Sequence, residues 1–327
     1  MTLTHTERLK ACLANDPALD RAPVALWRHF PVDDQSPESL AAATLHFQNS
    51  HDFDLVKVTP ASSFCLKDWG ADDAWEGHTE GTRRYTKRVV SGPMDWEKLP
   101  VLDPSAPHLA GQLACLRSIR AGLGPGTPIL QTIFSPLAQA RNLAGGETLL
   151  AHLRRYPEAV MQGLETITET TRRFILAALE TGIDGIFYAV QYAQGHLLAP
   201  DEFAAFARPH DLSLLDAAGE LWCNMVHLHG ENIHFEQVSK YPAHILNWHD
   251  RETGWSLAAG QKLFRGAVCG GLSQETLVLG TQAQVRDEAE EALAQTNGKG
   301  FILGTGCVVP VIAPHGNIVT ARKAVEA

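Results

Sequence analysis

Eight short apolar runs, separated by longer amphipathic stretches, constrain the fold of this chain more than any other feature of its sequence. Each run is rich in β-branched residues, which is typical of strands buried on both faces. The runs cover residues 23–27, 54–58, 128–134, 184–190, 222–228, 244–248, 266–271 and 301–306. Eight strands alternating with helices predict an α/β fold of the (β/α)8 (TIM) barrel type, with a doubly wound open sheet as the alternative.

The stretches between the runs carry helical patterns with recognisable ends. The clearest is 157–182, where Pro157 suits the first turn and Gly182 suits the C-cap. Ser36 and Ser273 offer helix-start chemistry. Further helical patterns cover residues 36–50, 200–219, 273–296 and 314–327.

Residues 71–106 interrupt this rhythm with a glycine turn and a strand-prone segment, and we expect a β-hairpin insertion after the second strand. The whole chain, 1–327, is predicted to form one domain, because its 327 residues are an ordinary length for one α/β barrel.

Composition excludes several functional classes. The net charge of −10 argues against general affinity for nucleic acid or an anionic membrane. No apolar run reaches the ~18–20 residues of a membrane span, and no signal peptide is recognisable, so we expect a cytoplasmic protein. The six cysteines lack CxxC spacing and are expected to be free thiols or ligands.

Polar side chains converge on the predicted carboxyl ends of the strands, where barrel enzymes build their active sites. The candidate substrate-binding residues are Arg28, His29, Lys57, Gln191, Tyr192 and Asn247. An arginine at a barrel mouth suits a carboxylate, which it binds in a bidentate manner. Lys57 ends an apolar strand, where lysine is unusual without an acidic partner, so pairing with Asp54 or Asp250 is expected.

His227 and His229 lie two residues apart at the end of the fifth run, so their imidazoles point to the same side of a strand. With Cys307 after the eighth run they supply three zinc-ligand types, the number of protein ligands in a catalytic zinc site. The alternative is two hydrogen-bonded histidines and a buried thiol. His249 and Asp250 are candidates for a catalytic acid/base pair, or for partners of the metal ligands.

The residues resemble the uroporphyrinogen decarboxylase superfamily over nearly the whole chain. The opening segment that ends at Arg28, together with "HILNWHD", "VCGGLSQETL" and "FILGTGCVVPVIAPHGNIVTARKAV", carries the resemblance. It implies a (β/α)8 barrel, and Arg28 matches the family's substrate-binding arginine. The aspartate and tyrosine of true decarboxylases are replaced here by Ala61 and Asn142, and their second arginine and last-strand histidine are missing.

The superfamily also contains corrinoid-dependent methyltransferases, and this chain resembles that branch more. "HLHG" and "GCVVP" stand where the branch has zinc-binding His-x-Cys-Gly and Gly-Cys-x-Val-Pro segments, so the resemblance implies zinc on His227, His229 and Cys307. His229 replaces a cysteine, which makes the centre more positive and favours activation of an oxygen ligand over a thiolate.

Three functions follow as hypotheses. The first is a zinc-dependent methyltransferase or demethylase that acts on a small acidic or methoxylated substrate with a corrinoid on a partner protein. The second is a decarboxylase of a tetrapyrrole or other polycarboxylate. The third is a non-catalytic barrel that binds a tetrapyrrole or corrinoid.

Overall fold

A computed structural model of the chain describes residues 2–326. The strands within that range are β1 (Val56–Val58), β2 (Asp72–Ala74), β3 (Arg84–Lys87), β4 (Ile129–Phe134), β5 (Gly185–Val190), β6 (Met225–Leu228), β7 (Ile245–Trp248), β8 (Ala267–Leu272) and β9 (Phe301–Thr305). Seven of them form one parallel sheet in the order β1-β4-β5-β6-β7-β8-β9. Every residue of these seven strands is buried, so the predicted α/β fold with strands covered on both faces is confirmed.

Helices surround this sheet. They are α1 (His5–Leu13), α2 (Pro37–His51), α3 (Pro107–Leu123), α4 (Pro136–Ala144), α5 (Gly146–Arg155), α6 (Pro157–Leu179), α7 (Pro200–Phe206), α8 (Arg208–Ala217), α9 (Phe235–Val238), α10 (Leu257–Leu263), α11 (Gln274–Leu279), α12 (Gln282–Thr296) and α13 (His315–Lys323). Short 3-10 helices cover Ser62–Cys65, Lys67–Trp69, Pro93–Lys98 and Gly124–Gly126. Across residues 2–326 no helix is both long and apolar enough to cross a membrane.

The first predicted strand, 23–27, is only a single bridge between Val24 and Leu303 of β9. Leu303 donates to the Pro23 carbonyl and accepts from Ala25, while Asp54 donates to Val24 on the other side. Pro23 has no N–H to extend the pairing. The segment therefore lies between β9 and the start of β1 without a continuous ladder, and the parallel sheet is curled rather than closed into the predicted eight-stranded barrel.

The predicted hairpin insertion is present. β2 and β3 pair antiparallel after β1, with Ala74 opposite Arg84 and a bulge between Asp72 and Asp73. The insertion contacts the carboxyl-end loops, because Val311 after β9 donates to the carbonyl of Thr79.

Two of the predicted helices are each divided in two. The pattern 200–219 forms α7 and α8, and Pro209 at the break removes a helical N–H donor. The pattern 273–296 forms α11 and α12, which are separated at Gly280 and restarted by a capping box at Thr281. Ser36 and Ser273 cap α2 and α11 as predicted. Ala327, the last residue of the pattern 314–327, lies outside the described residues.

Asp54 secures the amino end of the sheet. Its buried carboxylate accepts hydrogen bonds from His5, Arg8, Arg21 and the backbone N–H of Val24 at 2.6–3.1 Å. Burial alone would raise the pKa of Asp54, but the bonds from His5 and Arg21 outweigh it and hold the pKa below its usual range. Helix α1 and the segment before Val24 are thereby attached to the start of β1.

Candidate metal centre

Three histidines and one cysteine meet at the carboxyl ends of the strands. The ligand-type atoms of His227, His229, His249 and Cys307 all lie within 4.8 Å of one another. The structure therefore brings together the three predicted metal ligands, and it adds His249, which the sequence suggested as an acid/base residue.

The register between neighbouring strands explains why these side chains lie close together. His227 of β6 pairs with Asn247 of β7 in the parallel ladder. Continuing that register by two residues places His229 opposite His249, and their ring centroids are 5.2 Å apart. Cys307 reaches the same place from the loop after β9, where its Sγ lies 3.7 Å from Nδ1 of His229.

Asn247 fixes the orientation of the His227 ring. The buried Asn247 amide donates to the carbonyls of Cys269 and Thr305, both at 2.9 Å. Because both amide hydrogens are used, its Oδ1 faces Nδ1 of His227 at 2.7 Å and must accept from it. Nε2 of His227 is then left with its lone pair free, as a metal ligand requires.

Burial controls the charge of the histidines. Burial lowers the pKa of both His227 and His229, and for His227 the two neighbouring histidines add to the effect, so both rings are neutral. Burial also acts against the charged form of His249, but contacts with Cys307 and Glu252 raise the pKa of His249 to about 9. Cys307 and Glu252 therefore favour the charged form of His249, against the effect of burial.

The four side chains fit a zinc ion. Imidazole nitrogen and thiolate sulfur are the donors that zinc prefers, at ~2.0–2.3 Å, which places tetrahedral ligand atoms roughly 3.3–3.8 Å apart. The 3.7 Å between His229 and Cys307 lies in that range, and the full set needs only a small contraction from 4.8 Å. Nε2 of His249 is buried without a hydrogen-bond partner among residues 2–326, which a metal ion would supply.

Asp250, the other predicted acid/base residue, binds the backbone of β8 and is not one of the four residues of this cluster. Its carboxylate accepts from the backbone N–H of Gly271 at 3.1–3.2 Å, and burial raises the pKa of Asp250 to about 6. A side chain on Gly270 would approach Oδ1 of Asp250 to 2.4 Å, so the carboxylate fills the space over that glycine. The structure therefore places Asp250 at the end of β8 as a support for the backbone.

Lys57 lies beside the cluster, with the ring of Phe187 between its ammonium and His227 as a shared contact. Lys57 is the middle residue of β1, and its Nζ lies 4.5 Å from the ring centroid of Phe187, which stacks on His227 at 5.2 Å. The expected ion pair with Asp54 or Asp250 is wrong, because those carboxylates bind other partners and Lys57 forms no ion pair with the described residues. Burial lowers the pKa of Lys57 to about 7.

Arg28 lines a different part of the molecule. It borders a groove of about 660 Å³ between α2 and α13, together with His46, His51 and His315. Its guanidinium lies 5.7 Å from the ring of Phe30, which borders the same groove. The structure does not bring Arg28 to the histidine and cysteine cluster.

Gln191 and Tyr192 follow β5 at the mouth. Gln191 is partly buried and, by the alternation of a strand, continues the face of Phe187. Tyr192 is buried, which raises its pKa, and its hydroxyl lies beside Arg141.

Three residues near the site were absent from the sequence prediction. Glu80 of the insertion and Arg141 of α4 both act electrostatically on His229. Trp27 packs edge-on against Phe187 at 5.3 Å. For Trp27 the sequence carried a signal, because the run "WRHF" places it two residues before His29, on the same face of an extended segment.

The comparison with known families agrees with this architecture. The sequence profile of the uroporphyrinogen decarboxylase (URO-D) family matches residues 20–327. The chain belongs to the uroporphyrinogen decarboxylase family. Family membership confirms the resemblance drawn from the sequence segments.

The similar proteins include methyltransferases. The methylcobamide:CoM methyltransferase MtaA of Methanosarcina barkeri is 23% identical over 254 residues, which cover 73% of this chain and 70% of MtaA. The structure of a methyltransferase from Methanosarcina mazei superposes with a TM-score of 0.87 at 20% identity, covering 99% of this chain and 98% of that one. A B12-independent methionine synthase from Shewanella sp. W3-18-1 gives a TM-score of 0.60 at 15% identity, covering 93% and 92%. The structural likenesses establish a shared fold.

Proposed function

We propose that this protein is a zinc-dependent methyltransferase or demethylase, which exchanges a methyl group between a small acidic, oxygen-bearing substrate and a corrinoid carried by a separate protein. The observation that carries the proposal is the cluster of His227, His229, His249 and Cys307 at the carboxyl ends of β6, β7 and β9. The similarity of the chain to the methylcobamide:CoM methyltransferase MtaA supports methyl transfer as the reaction.

In this proposal His227, His229 and Cys307 hold the metal, and His249 completes the donor set when no substrate is bound. A zinc ion bound there supplies Lewis acidity toward the substrate oxygen. Asn247 keeps Nε2 of His227 available through its hydrogen bond to Nδ1. His249 is the side chain that can hold a proton beside the substrate, because the Glu252 carboxylate lies 3.7 Å from its Nδ1 and favours the charged form.

The donor set distinguishes this site from one built for thiols. Only one cysteine, Cys307, lies in the cluster, so zinc with the neutral histidines and one thiolate carries a net charge of +1. A more positive centre lowers the electron density of a bound sulfur and polarises a bound oxygen more strongly. A methoxylated compound is therefore the substrate class that the donor set favours.

Demethylation of methoxyacetate by zinc-loaded protein with cob(I)alamin tests the proposal. The methyl group moves to cobalt, whose electron pair forms the new bond, and the released alkoxide takes a proton to give glycolate. We expect methylcobalamin to form, as measured by its absorbance, with wild type and not with Cys307→Ala. Release of carbon dioxide from uroporphyrinogen by metal-stripped protein would instead establish a decarboxylase, and tetrapyrrole binding without turnover would establish a binding protein.

A further inference from the structure

Three polar side chains beside the metal cluster lack a partner. Trp27 is 2% exposed and His29 is partly buried, and their atoms Nε1 and Nδ1 are buried with no hydrogen bond to any described residue. Lys57 is 7% exposed and forms no ion pair within residues 2–326. Buried polar groups are nearly always paired, so two buried donors without a partner beside a lysine without a counter-ion indicate a missing acceptor.

Phe187 links these groups to the metal cluster. The Lys57 ammonium lies 4.5 Å and the Trp27 ring 5.3 Å from the Phe187 ring centroid. The ring of His227 also stacks on Phe187, with 5.2 Å between the ring centroids. His29 lies close enough to Lys57 for the lysine charge to add to burial in lowering the pKa of His29 to about 3, so its ring is neutral.

We propose that Lys57, Trp27 and His29 form a carboxylate-binding subsite that selects acidic substrates for the adjacent metal centre. This proposal rests on the proposed function for the reaction itself. It adds that the enzyme recognises the substrate by its carboxylate. A carboxylate offers two oxygens with about four acceptor positions. It can accept from the Lys57 ammonium, the Trp27 indole and one nitrogen of His29, and its negative charge compensates the otherwise unpaired lysine.

Arg28 is the alternative anion-binding residue, and its surroundings exclude it from this role. Arg28 borders the groove between α2 and α13, whereas Lys57 and Trp27 both contact Phe187 beside the cluster. Arg28 and His29 are neighbours in an extended segment, where consecutive side chains point to opposite sides. The carboxylate is therefore held from β1 and from the inward face of the 27–29 segment.

The test compares the binding of methoxyacetate with that of methoxyacetamide, which has the same shape without the charge. Because bound zinc also attracts a carboxylate, both dissociation constants are measured in zinc-loaded wild type and in metal-free Cys307→Ala protein, by calorimetry or ligand-observed NMR. We expect the acid to bind more tightly by roughly 10- to 100-fold, the range of a charge-assisted hydrogen bond, and we expect most of this preference to remain in Cys307→Ala.

Lys57→Met should abolish the preference for the acid in both backgrounds. Trp27→Phe removes only the indole N–H and keeps an aromatic ring against Phe187, so it should reduce the preference several-fold. Arg28→Met is the matched control and should leave the preference unchanged. Equal binding of acid and amide by wild type, or a preference that survives Lys57→Met and disappears in Arg28→Met, overturns the subsite.

The subsite and the proposed function can fail separately. An intact, Lys57-dependent acid preference in a protein that transfers no methyl group retains the subsite and removes the methyltransferase. Methyl transfer from methoxyacetate and methoxyacetamide at equal efficiency retains the reaction and removes the subsite.

Discussion

Two charged residues at β1, Asp54 before the strand and Lys57 within it, are held in opposite ways. At the amino end, Asp54 is completely buried and every side of its carboxylate is bonded, with Arg8 and Arg21 as counter-ions. Three residues later, toward the carboxyl end, Lys57 is almost as buried and has no counter-ion among the described residues. The amino end is built for stability, and the carboxyl end keeps unpaired groups that a ligand can use.

Two buried asparagines, one at each end of the sheet, differ in a similar way. Asn224 precedes β6 and joins backbone segments, since it accepts from Ile186 and donates to Ala218. Asn247 at the other end of the sheet also binds backbone carbonyls, but it uses its third bond to orient His227. A polar side chain at the carboxyl end therefore serves the site as well as the fold.

The largest expected effect is at Asp54. Asp54→Asn leaves the partly buried Arg21 without its counter-ion and leaves the buried Arg8 with Asp20 alone, and we expect the free energy of unfolding in urea to fall by about 3–5 kcal/mol. Asp52→Asn is the control, because its carboxylate is 67% exposed and asparagine tolerates the left-handed backbone there; its cost should be under about 1 kcal/mol. Equal costs for the two variants would show that the Asp54 network is not what stabilises this end.

Low pH should remove the stabilisation that the Asp54 carboxylate contributes at the amino end of the sheet. The pKa of Asp54 is lower in the folded than in the unfolded state, so its contribution is complete above the unfolded value of about 4 and is lost as the pH falls below it. The difference in unfolding free energy between wild type and Asp54→Asn should therefore shrink as the pH is lowered from about 5 to 2. A difference that stays constant over that range contradicts the assignment.

The second effect is at Asn247. Asn247→Ala removes the acceptor that fixes the His227 ring, and we expect zinc affinity to fall by roughly 10- to 100-fold in competition with a chelator. Asn224→Ala is the matched buried asparagine at the amino end, and it should lower stability while leaving zinc affinity unchanged. If both variants bind zinc as wild type does, Asn247 has only a structural role.

The smallest effect is at Lys57. Lys57→Met replaces an unpaired buried ammonium with an apolar side chain, and we expect stability at pH 7 to be unchanged or to rise by about 1 kcal/mol. The folded pKa of about 7 lies below the unfolded value, so the unfolded chain binds more protons between about pH 7 and 10. The stability of wild type relative to Lys57→Met should therefore rise with pH across that window, and a decrease would indicate an unrecognised acidic partner.

The sequence predicts the main sheet well because its strands are buried on both faces and therefore have continuous apolar runs. Seven of the eight runs form strands. The prediction for 23–27 is wrong because the apolar pattern of a segment that contains proline does not show how many ladder hydrogen bonds the segment forms. Pro209 and Gly280 are evident in the sequence, but the local pattern does not show that the helices are divided at these residues.

The candidate site was partly predictable for a geometric reason. The period of two in an extended chain places His227 and His229 on one side, and the same rule applied to "NWH" would have placed His249 with them once the β6–β7 register was known. Register depends on tertiary structure, so the local sequence does not show that His249 joins His227 and His229. The direction of Arg28 likewise depends on which side of the 23–29 segment faces the sheet interior, which composition does not reveal.

Metal content tests the central claim most directly, which is that the histidine and cysteine cluster holds zinc. Wild type, His229→Ala and Cys307→Ala would be purified without chelator and analysed for metal, with X-ray absorption at the zinc edge to count nitrogen and sulfur ligands. We predict about one zinc per chain with one sulfur in its coordination shell in wild type, and loss of the metal in both variants. A wild-type protein that takes up no zinc when zinc is supplied, or variants that retain it fully, would contradict the account.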